Sequence, residues 1–456
     1  MKQDFLDYIQ KTFNFPADEM QEFEVSLSKP LKKTLRVNTN KISIEDFRQL
    51  ATQNNWSLTE TALWNNMFYI DREDTSLALG HTLEHIAGYI YMQELAASSS
   101  PFYMSEDVID EQEYTILDMS ASPGWKTTQL AEYYPNSLII ANEIDKSRMR
   151  QLHENTDRLG SQNVYVTNFD GRHFKNYPET FDKILLDAPC SWEWTAYKTD
   201  DALKYWNLKN IKRIAKLQYQ LLESAFIALK VWGELVYSTC TLNRLENEDI
   251  INKLTDKYGD SFRIISLNED TSKPLIRAWP HKNNTGWFFV VKLIKKESLE
   301  GIKIKTGFQK NTQWFEKLSN TAEKTVTTFL ENTFWLTLPG KFYTYRNEIY
   351  YGEKNIDYFW ENFFFYKMWI KIGKLEDGVF EPNFYLGTHF NIFETNTIPV
   401  NQEIIQTLYS GWEVTMDSQW QDGYYQVYQD DIPAGCVKIK SGKMKSLIEW
   451  RFMRKV

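Results

Sequence analysis

At 456 residues the chain has room for about three domains of ordinary size and for at least one sizeable core, which excludes a peptide or a minimal module. A hydrophobic content of 42% with 25% charged residues describes a folded globular chain with no compositional sign of bulk disorder. The formal charge of −9 argues against coating nucleic acid by bulk charge, while leaving room for a local basic patch.

The chain starts MKQDFLDYIQKTF, which carries acidic residues and no apolar signal-type core, and no apolar run reaches the roughly 18 residues of a membrane span. Neither secretion nor membrane insertion is expected. Residues 1–110 mix short helical and extended signals, and read as an α+β domain. Around LRVNT they hold the basic stretch Lys29, Lys32, Lys33, Arg36 and Lys41, read as a solvated face with nucleic-acid contact as the alternative.

From Tyr114 the texture changes. Runs rich in β-branched and aliphatic residues, TILDMS, LIIANE, NVYVTNFD, FDKILLDAPC and ELVYSTCT, alternate with segments of helical period. In the longest of these, Ile214, Leu217, Leu221, Ala225 and Ala228 are expected to form one buried stripe. Such alternation predicts a mostly parallel sheet covered on both faces, over residues 111–296. A polar linker and a small intermediate domain are expected over 297–380, and a second small β-rich domain over 381–456. The last 22 residues carry seven Lys or Arg against one Glu, a basic edge suited to phosphate contacts or simply to solubility.

Ligands of a doubly wound sheet sit beyond the carboxyl ends of its strands. The first strand runs into ASPGWKTT and a helix start; the next three end at Glu143, Asp170 and Asp187. Carboxylates at three successive strand ends repel phosphates and suit a nucleoside cofactor, and the cationic sulfonium of S-adenosylmethionine fits them. Cys190 and Cys240 close the fourth and fifth strands, over the same cleft. With Cys436 they are too few and too scattered for a disulfide framework or a zinc ribbon, so no metal is expected and a reducing cytoplasm is. An isolated cysteine is usually inert core. A pair beside Asp187 and a cationic cofactor reads instead as a nucleophile site.

These residues carry a resemblance. LRVNT, LDMSASPGWKTTQLA, LLDAPCSWEWT, LVYSTCTLNRLENE and RAWPHKNNTGWFF resemble the RNA cytosine-5 methyltransferase family over residues 30–296, with the paired DAPC and STCT motifs its most specific part. GKLEDGVFEPN and DGYYQVYQDDIPAGCVKIKSGKMK are similar to the C-terminal PUA-like, RNA-binding end of the branch that modifies small-subunit ribosomal RNA. The resemblance implies a Rossmann-like S-adenosylmethionine-dependent methyltransferase fold acting on RNA; nothing in the sequence resembles a dimerisation seam, so a monomer is expected. It implies that Cys240 adds to carbon 6 of the cytosine, that Asp187 hydrogen-bonds the ring at N3, and that Cys190 helps release the product. It places Ser120, Ala121, Ser122, Pro123, Gly124, Trp125 and Lys126 against the methionine part of the cofactor, Glu143 on the ribose and Asp170 near the adenine, with Asp187 also lining the pocket. The same chemistry on transfer RNA, and a catalytically silent RNA-binding or ribosome-assembly factor, stand as alternatives.

The departures from the family are of one kind. Tryptophan stands at Trp125, Trp192, Trp194 and Trp287 where the family has glycine, and Trp232 and Trp369 look similar. Glycine serves such loops by close backbone approach or positive φ, which an indole forbids. Either the site is obstructed, or these codons are UGA read as glycine in the source. The count of 19 glycines beside 16 tryptophans, where about 32 glycines is ordinary usage, fits the second explanation.

Overall fold

The computed structural model describes residues 3–61, 63–105, 112–191, 206–267, 275–301, 315–352, 363–391 and 393–448. Trp192, Trp194 and the end of the basic tail from Glu449 lie outside the described residues.

β1 (Thr34–Val37), β2 (Trp56–Glu60), β3 (Met67–Arg72) and β4 (Ile90–Met92) form an antiparallel sheet in the order β2-β3-β1-β4. Before it, the helices Gln3–Phe13 and Ala17–Ser26 bury Phe5, Ile9 and Phe23 against Trp206, Leu242 and Trp287. Trp287 is therefore a core side chain, 1% exposed, with its ring stacked 6.4 Å from that of Phe23. The solvated-face reading of the basic stretch needs correction at two of its five residues. Lys29, Lys32 and Lys33 are exposed. Arg36, 1% exposed, pairs with Glu132 at 3.3 Å and donates to the Trp125 carbonyl and the Thr128 hydroxyl. Lys41 donates to the carbonyls of Ala87, Arg158 and Thr388 at 2.7, 3.2 and 2.8 Å. A cation is legible in sequence; which carbonyls surround it is decided by elements far away along the chain.

The central sheet starts with β5 (Thr115–Asp118), β6 (Leu138–Asn142), β7 (Val164–Thr167), β8 (Phe181–Asp187) and β9 (Leu229–Thr239), mutually parallel, and adds β10 (Phe262–Ile265), β11 (Ile276–Ala278) and β12 (Phe288–Lys295) antiparallel at one side. Its strands are apolar on both faces. Leu117, Ile140, Ile184 and Leu186 point into one core layer, and Ile116, Ile139, Val166 and Leu185 into the other. The helices between them carry their own stop signals. In Lys146–Leu159, Asp145 caps the first turn through the Ser147 and Arg148 amides, and Gly160 ends it at φ 72°. The helix Leu208–Ala228 buries Leu221, Ala225 and Ala228 of the expected stripe, and widens the buried face through Ile211, Ala215, Gln218 and Leu222. Ile214 and Leu217 are only half-buried. Leu217 and Leu221 also line a cavity.

Two further sheets follow. β13 (Glu316–Lys317), β14 (Lys341–Tyr345), β15 (Glu348–Gly352), β17 (Ile370–Glu376) and β18 (Val379–Pro382) form one, backed by the helix Asn320–Phe334. β16 (Phe365–Lys367) leaves this run and pairs antiparallel with β7, so the central sheet reads β10-β12-β9-β8-β5-β6-β7-β16. β19 (Thr397–Pro399), β20 (Val414–Thr415), β21 (Gly423–Gln429), β22 (Ile432–Lys440) and β23 (Lys443–Ser446) form the last, in the order β19-β21-β22-β23-β20. No described helix is long and apolar enough to cross a membrane.

Candidate active site

The carboxyl ends of β5, β6, β8 and β9 surround a cavity of about 390 Å³. β8 and β9 are neighbours, with Asp187 opposite Ser238. The two segments that continue them therefore leave the sheet side by side. Cys190 and Cys240 meet there with their Sγ atoms 2.7 Å apart, both as free thiols. Cys240 is half-buried on the cavity wall. Burial, then Cys190, then the Asp187 carboxylate push its thiol well above the ordinary cysteine value, and the Lys126 ammonium opposes them.

Asp187 is fixed at both oxygens. Lys126 holds Oδ2 at 2.7 Å and the Ser238 hydroxyl donates to Oδ1 at 2.9 Å. The carboxylate is thus held in one orientation on the cavity wall that also carries the two thiols. Beneath it, Thr127 donates to Asp118 at 2.7 Å, and burial raises Asp118 to about 7. Arg36 of the N-terminal sheet grips the Trp125 carbonyl from behind, so that sheet braces the helix start Gly124–Trp125, where Gly124 takes φ 106°.

The loops bearing the two cysteines share one buried carboxylate. Glu246, 0% exposed, accepts from the Ser191 amide at 3.0 Å and from Gln218 at 2.8 Å through Oε2, and from Asn243 at 2.6 Å through Oε1. Asn243 also donates to the Thr241 hydroxyl at 2.6 Å, and Gln218 to the Pro189 carbonyl at 2.9 Å.

Of the residues expected at the site, Ser120, Ser122, Pro123, Trp125, Glu143, Asp170, Asp187, Cys190 and Cys240 line the cavity. Ala121, Gly124 and Lys126 do not. Ala121 is buried behind the wall with its amide on the Asn142 carbonyl, and Lys126 is spent on Asp187 rather than turned to the methionine end. Trp125 stands on the wall without filling the space, so the expected obstruction is not found there. Glu143 accepts the Asp145 amide at 2.9 Å, and Asp170 is held low by the Arg172 guanidinium. Sequence reasoning missed Arg148, Arg172 and Leu217 on the wall, and Ser238 and Glu246 behind it. Arg172 had a signal, a cation two positions after an acidic strand end; Glu246 had none beyond its place in LENE.

A family model described as 16S rRNA methyltransferase RsmB/F matches residues 108–294, and one for the N-terminal domain of 16S rRNA methyltransferase RsmF matches residues 1–95. Ribosomal RNA small subunit methyltransferase F of Shewanella loihica is 38% identical over 353 residues, 75% of this chain and 72% of that protein. The protein of the same name from Shewanella oneidensis is 33% identical over 439 residues, 94% and 92% of the two chains. Among solved structures, a methyltransferase homolog protein from Pyrococcus horikoshii is 28% identical, covering 65% of this chain and 100% of that one, with a TM-score of 0.55.

Proposed function

Because the chain belongs to the RsmB/F family of 16S rRNA methyltransferases, we propose that it methylates carbon 5 of a cytidine in ribosomal RNA, that of the small subunit, through a transient bond to Cys240. The observation that carries this reading is the thiol pair itself: two cysteines in contact beside an immobilised aspartate, on the wall of one cavity. Methylation of an amino group needs no thiol, and would leave Cys240 without a purpose.

The residues fit S-adenosylmethionine. The cavity is large enough for a ligand of drug size, and Glu143 and Asp170 are acceptors suited to ribose hydroxyls and an adenine amine. When bound, S-adenosylmethionine supplies an electrophilic methyl group. The target cytosine must leave its stack to reach Cys240, so a flipped or single-stranded nucleotide is required.

Carbon 5 of cytosine is a poor nucleophile. Addition of the Cys240 thiolate at carbon 6 turns the ring into an enamine whose carbon 5 can attack a methyl group. Asp187, held by Lys126 and Ser238, hydrogen-bonds the ring edge at N3 and relays to it the proton given up by the Cys240 thiol, so that the charge developing there during addition is neutralised. After methylation, loss of the carbon 5 proton and departure of the thiol restore aromaticity. Cys190, in contact with the Cys240 sulfur, assists this release.

The test is trapping. Cys190→Ala should bind RNA and cofactor yet accumulate a covalent RNA adduct, visible as a shifted band on a denaturing gel. A variant that binds both and shows no adduct would overturn the assignment. The silent-factor alternative predicts no saturable calorimetric signal with S-adenosylmethionine. Bisulfite sequencing of ribosomal RNA from a deletion strain addresses the transfer-RNA alternative: one protected cytidine should disappear, and an unchanged pattern would move the substrate elsewhere.

A further inference from the structure

Among the described residues, Ser191 reaches across from the Cys190 loop to the Cys240 loop with its amide on Glu246 and its hydroxyl on the Thr241 hydroxyl at 3.4 Å. Gln218 of the helix behind them holds both loops, through Glu246 and the Pro189 carbonyl. Glu246 takes part in two of these four bonds, and a third, from Asn243, fixes it within its own loop. Its Oε2 accepts the amide of Ser191, one residue beyond Cys190. Its Oε1 accepts from Asn243, which clasps Thr241, one residue beyond Cys240. The Tyr237 hydroxyl donates to the Glu246 carbonyl at 2.7 Å and fixes the residue from the sheet side. We infer that Glu246 is a positioning residue that holds the two thiols in register, without touching RNA or cofactor. A carboxylate suits the task because it offers acceptors only, and the three partners of its side chain among the described residues, Ser191, Gln218 and Asn243, are all donors. A carboxamide in its place would turn a donor towards one of them.

The inference rests on the reading of Cys240 as the nucleophile, and two readouts separate them. The first is independent of catalysis. Mild oxidation with diamide should join Cys190 and Cys240 readily in the parent, since their sulfurs are in contact, each thiol giving up one hydrogen to the reagent. In Glu246→Gln the yield of this disulfide should fall several-fold at equal folded fraction by circular dichroism. The second is kinetic. In the same variant kcat should drop by about 10²-fold, as for a small misplacement of reacting groups, with KM for RNA and calorimetric affinity for S-adenosylmethionine unchanged. An unaltered disulfide yield overturns the positioning role. A reduced yield with normal kcat keeps the positioning and overturns the nucleophile reading.

A separate inference rests on backbone geometry. Trp232, Trp335 and Trp369 take φ of 64°, 52° and 55°, a left-handed region that bulky L-residues avoid. Trp232 and Trp335 are 68% and 66% exposed, so little packing offsets the strain. Trp335 ends the helix Asn320–Phe334 as Gly160 ends Lys146–Leu159. The two have φ/ψ of 52°/34° and 72°/32°, and each returns its amide to the last-turn carbonyls. Glycine is the residue for that position. Trp232 precedes Gly233 where β9 shifts register against β8. We propose that the protein translated in its own cells carries glycine at 232, 335 and 369, from UGA codons decoded as glycine.

Peptide masses of the protein isolated from its source organism decide the matter. A hydrogen in place of the indolylmethyl group is expected at 232, 335 and 369, with UGA in the gene, and tryptophan at any of the three overturns the proposal there. In recombinant protein Trp232→Gly and Trp335→Gly should each raise Tm by about 2 °C. No rise at either site removes the geometric premise. Trp369 is left out of the thermal test because its buried ring stacks 3.5 Å from that of Tyr343.

Discussion

Burial, the Cys190 side chain and the Asp187 carboxylate push the Cys240 thiol up against the opposing pull of the Lys126 ammonium, so less of it is thiolate at neutral pH than in an ordinary cysteine. Its thiolate fraction therefore grows as pH rises, and the rate of adduct formation in single-turnover experiments with Cys190→Ala should climb through the neutral and alkaline range. A rate that is flat or falls with pH over that range would contradict addition by this thiol. Cys240→Ser should form no adduct at any pH. The residues that line the cavity were legible in sequence because parallel sheets present ligands at strand ends, so Glu143, Asp170, Asp187, Cys190 and Cys240 could be found by where the apolar runs stop. Ser238 and Glu246 were not. The hydroxyl of Ser238 meets Asp187 only because β8 and β9 lie side by side, and Glu246 meets Ser191 across 55 residues of chain. Neither pairing leaves a local pattern.

At the scale of elements, the hairpin of β22 and β23 sets Lys438 directly opposite Lys445, and Lys440 opposite Lys443. Its other face buries Val437, Ile439 and Met444 in the core of the last sheet. The basic character of this tail was legible from composition. That four lysines share one face depends on the pairing register, which composition cannot give. Like charges directly opposite one another destabilise a sheet, so the two properties should separate on mutation. Lys440→Glu should stabilise the protein by about 0.2–1 kcal/mol in thermal unfolding, by turning a repulsive pair into an attractive one. The same change should weaken RNA binding across sequences and lower the salt slope by about one. Unchanged RNA affinity would show that this face does not meet the phosphate backbone. The helix Leu208–Ala228 teaches the complementary lesson: its period and the C-terminal half of its stripe, Leu221, Ala225 and Ala228, were legible, but Ile214 and Leu217 are only half-buried, Leu217 being given to the cavity.

At the scale of the molecule, Lys41 ties three parts together, with one ammonium on carbonyls from the N-terminal part, the central sheet's helix and the C-terminal part. Its burial lowers the pKa to about 7, so the same contacts that anchor it also oppose its charge. Lys41→Met leaves three carbonyls without this donor, at about 1–3 kcal/mol for each one left unsatisfied, less what is regained by no longer burying an ammonium. A net loss of about 3 kcal/mol is expected, and hydrogen exchange should accelerate in all three parts together. Acceleration confined to the N-terminal part would show that the junction does not couple them. The order of parts along the chain was legible, but β16 was not: three residues from the C-terminal half cross to the outer edge of the central sheet beside β7. A nascent chain still attached to the ribosome therefore cannot seal that edge when its two cysteines emerge. Until Phe365–Lys367 has been synthesised, β7 offers a bare row of backbone donors and acceptors to any strand nearby. Chaperone dependence during synthesis, and clumping of fragments released after β12, follow from that late closure.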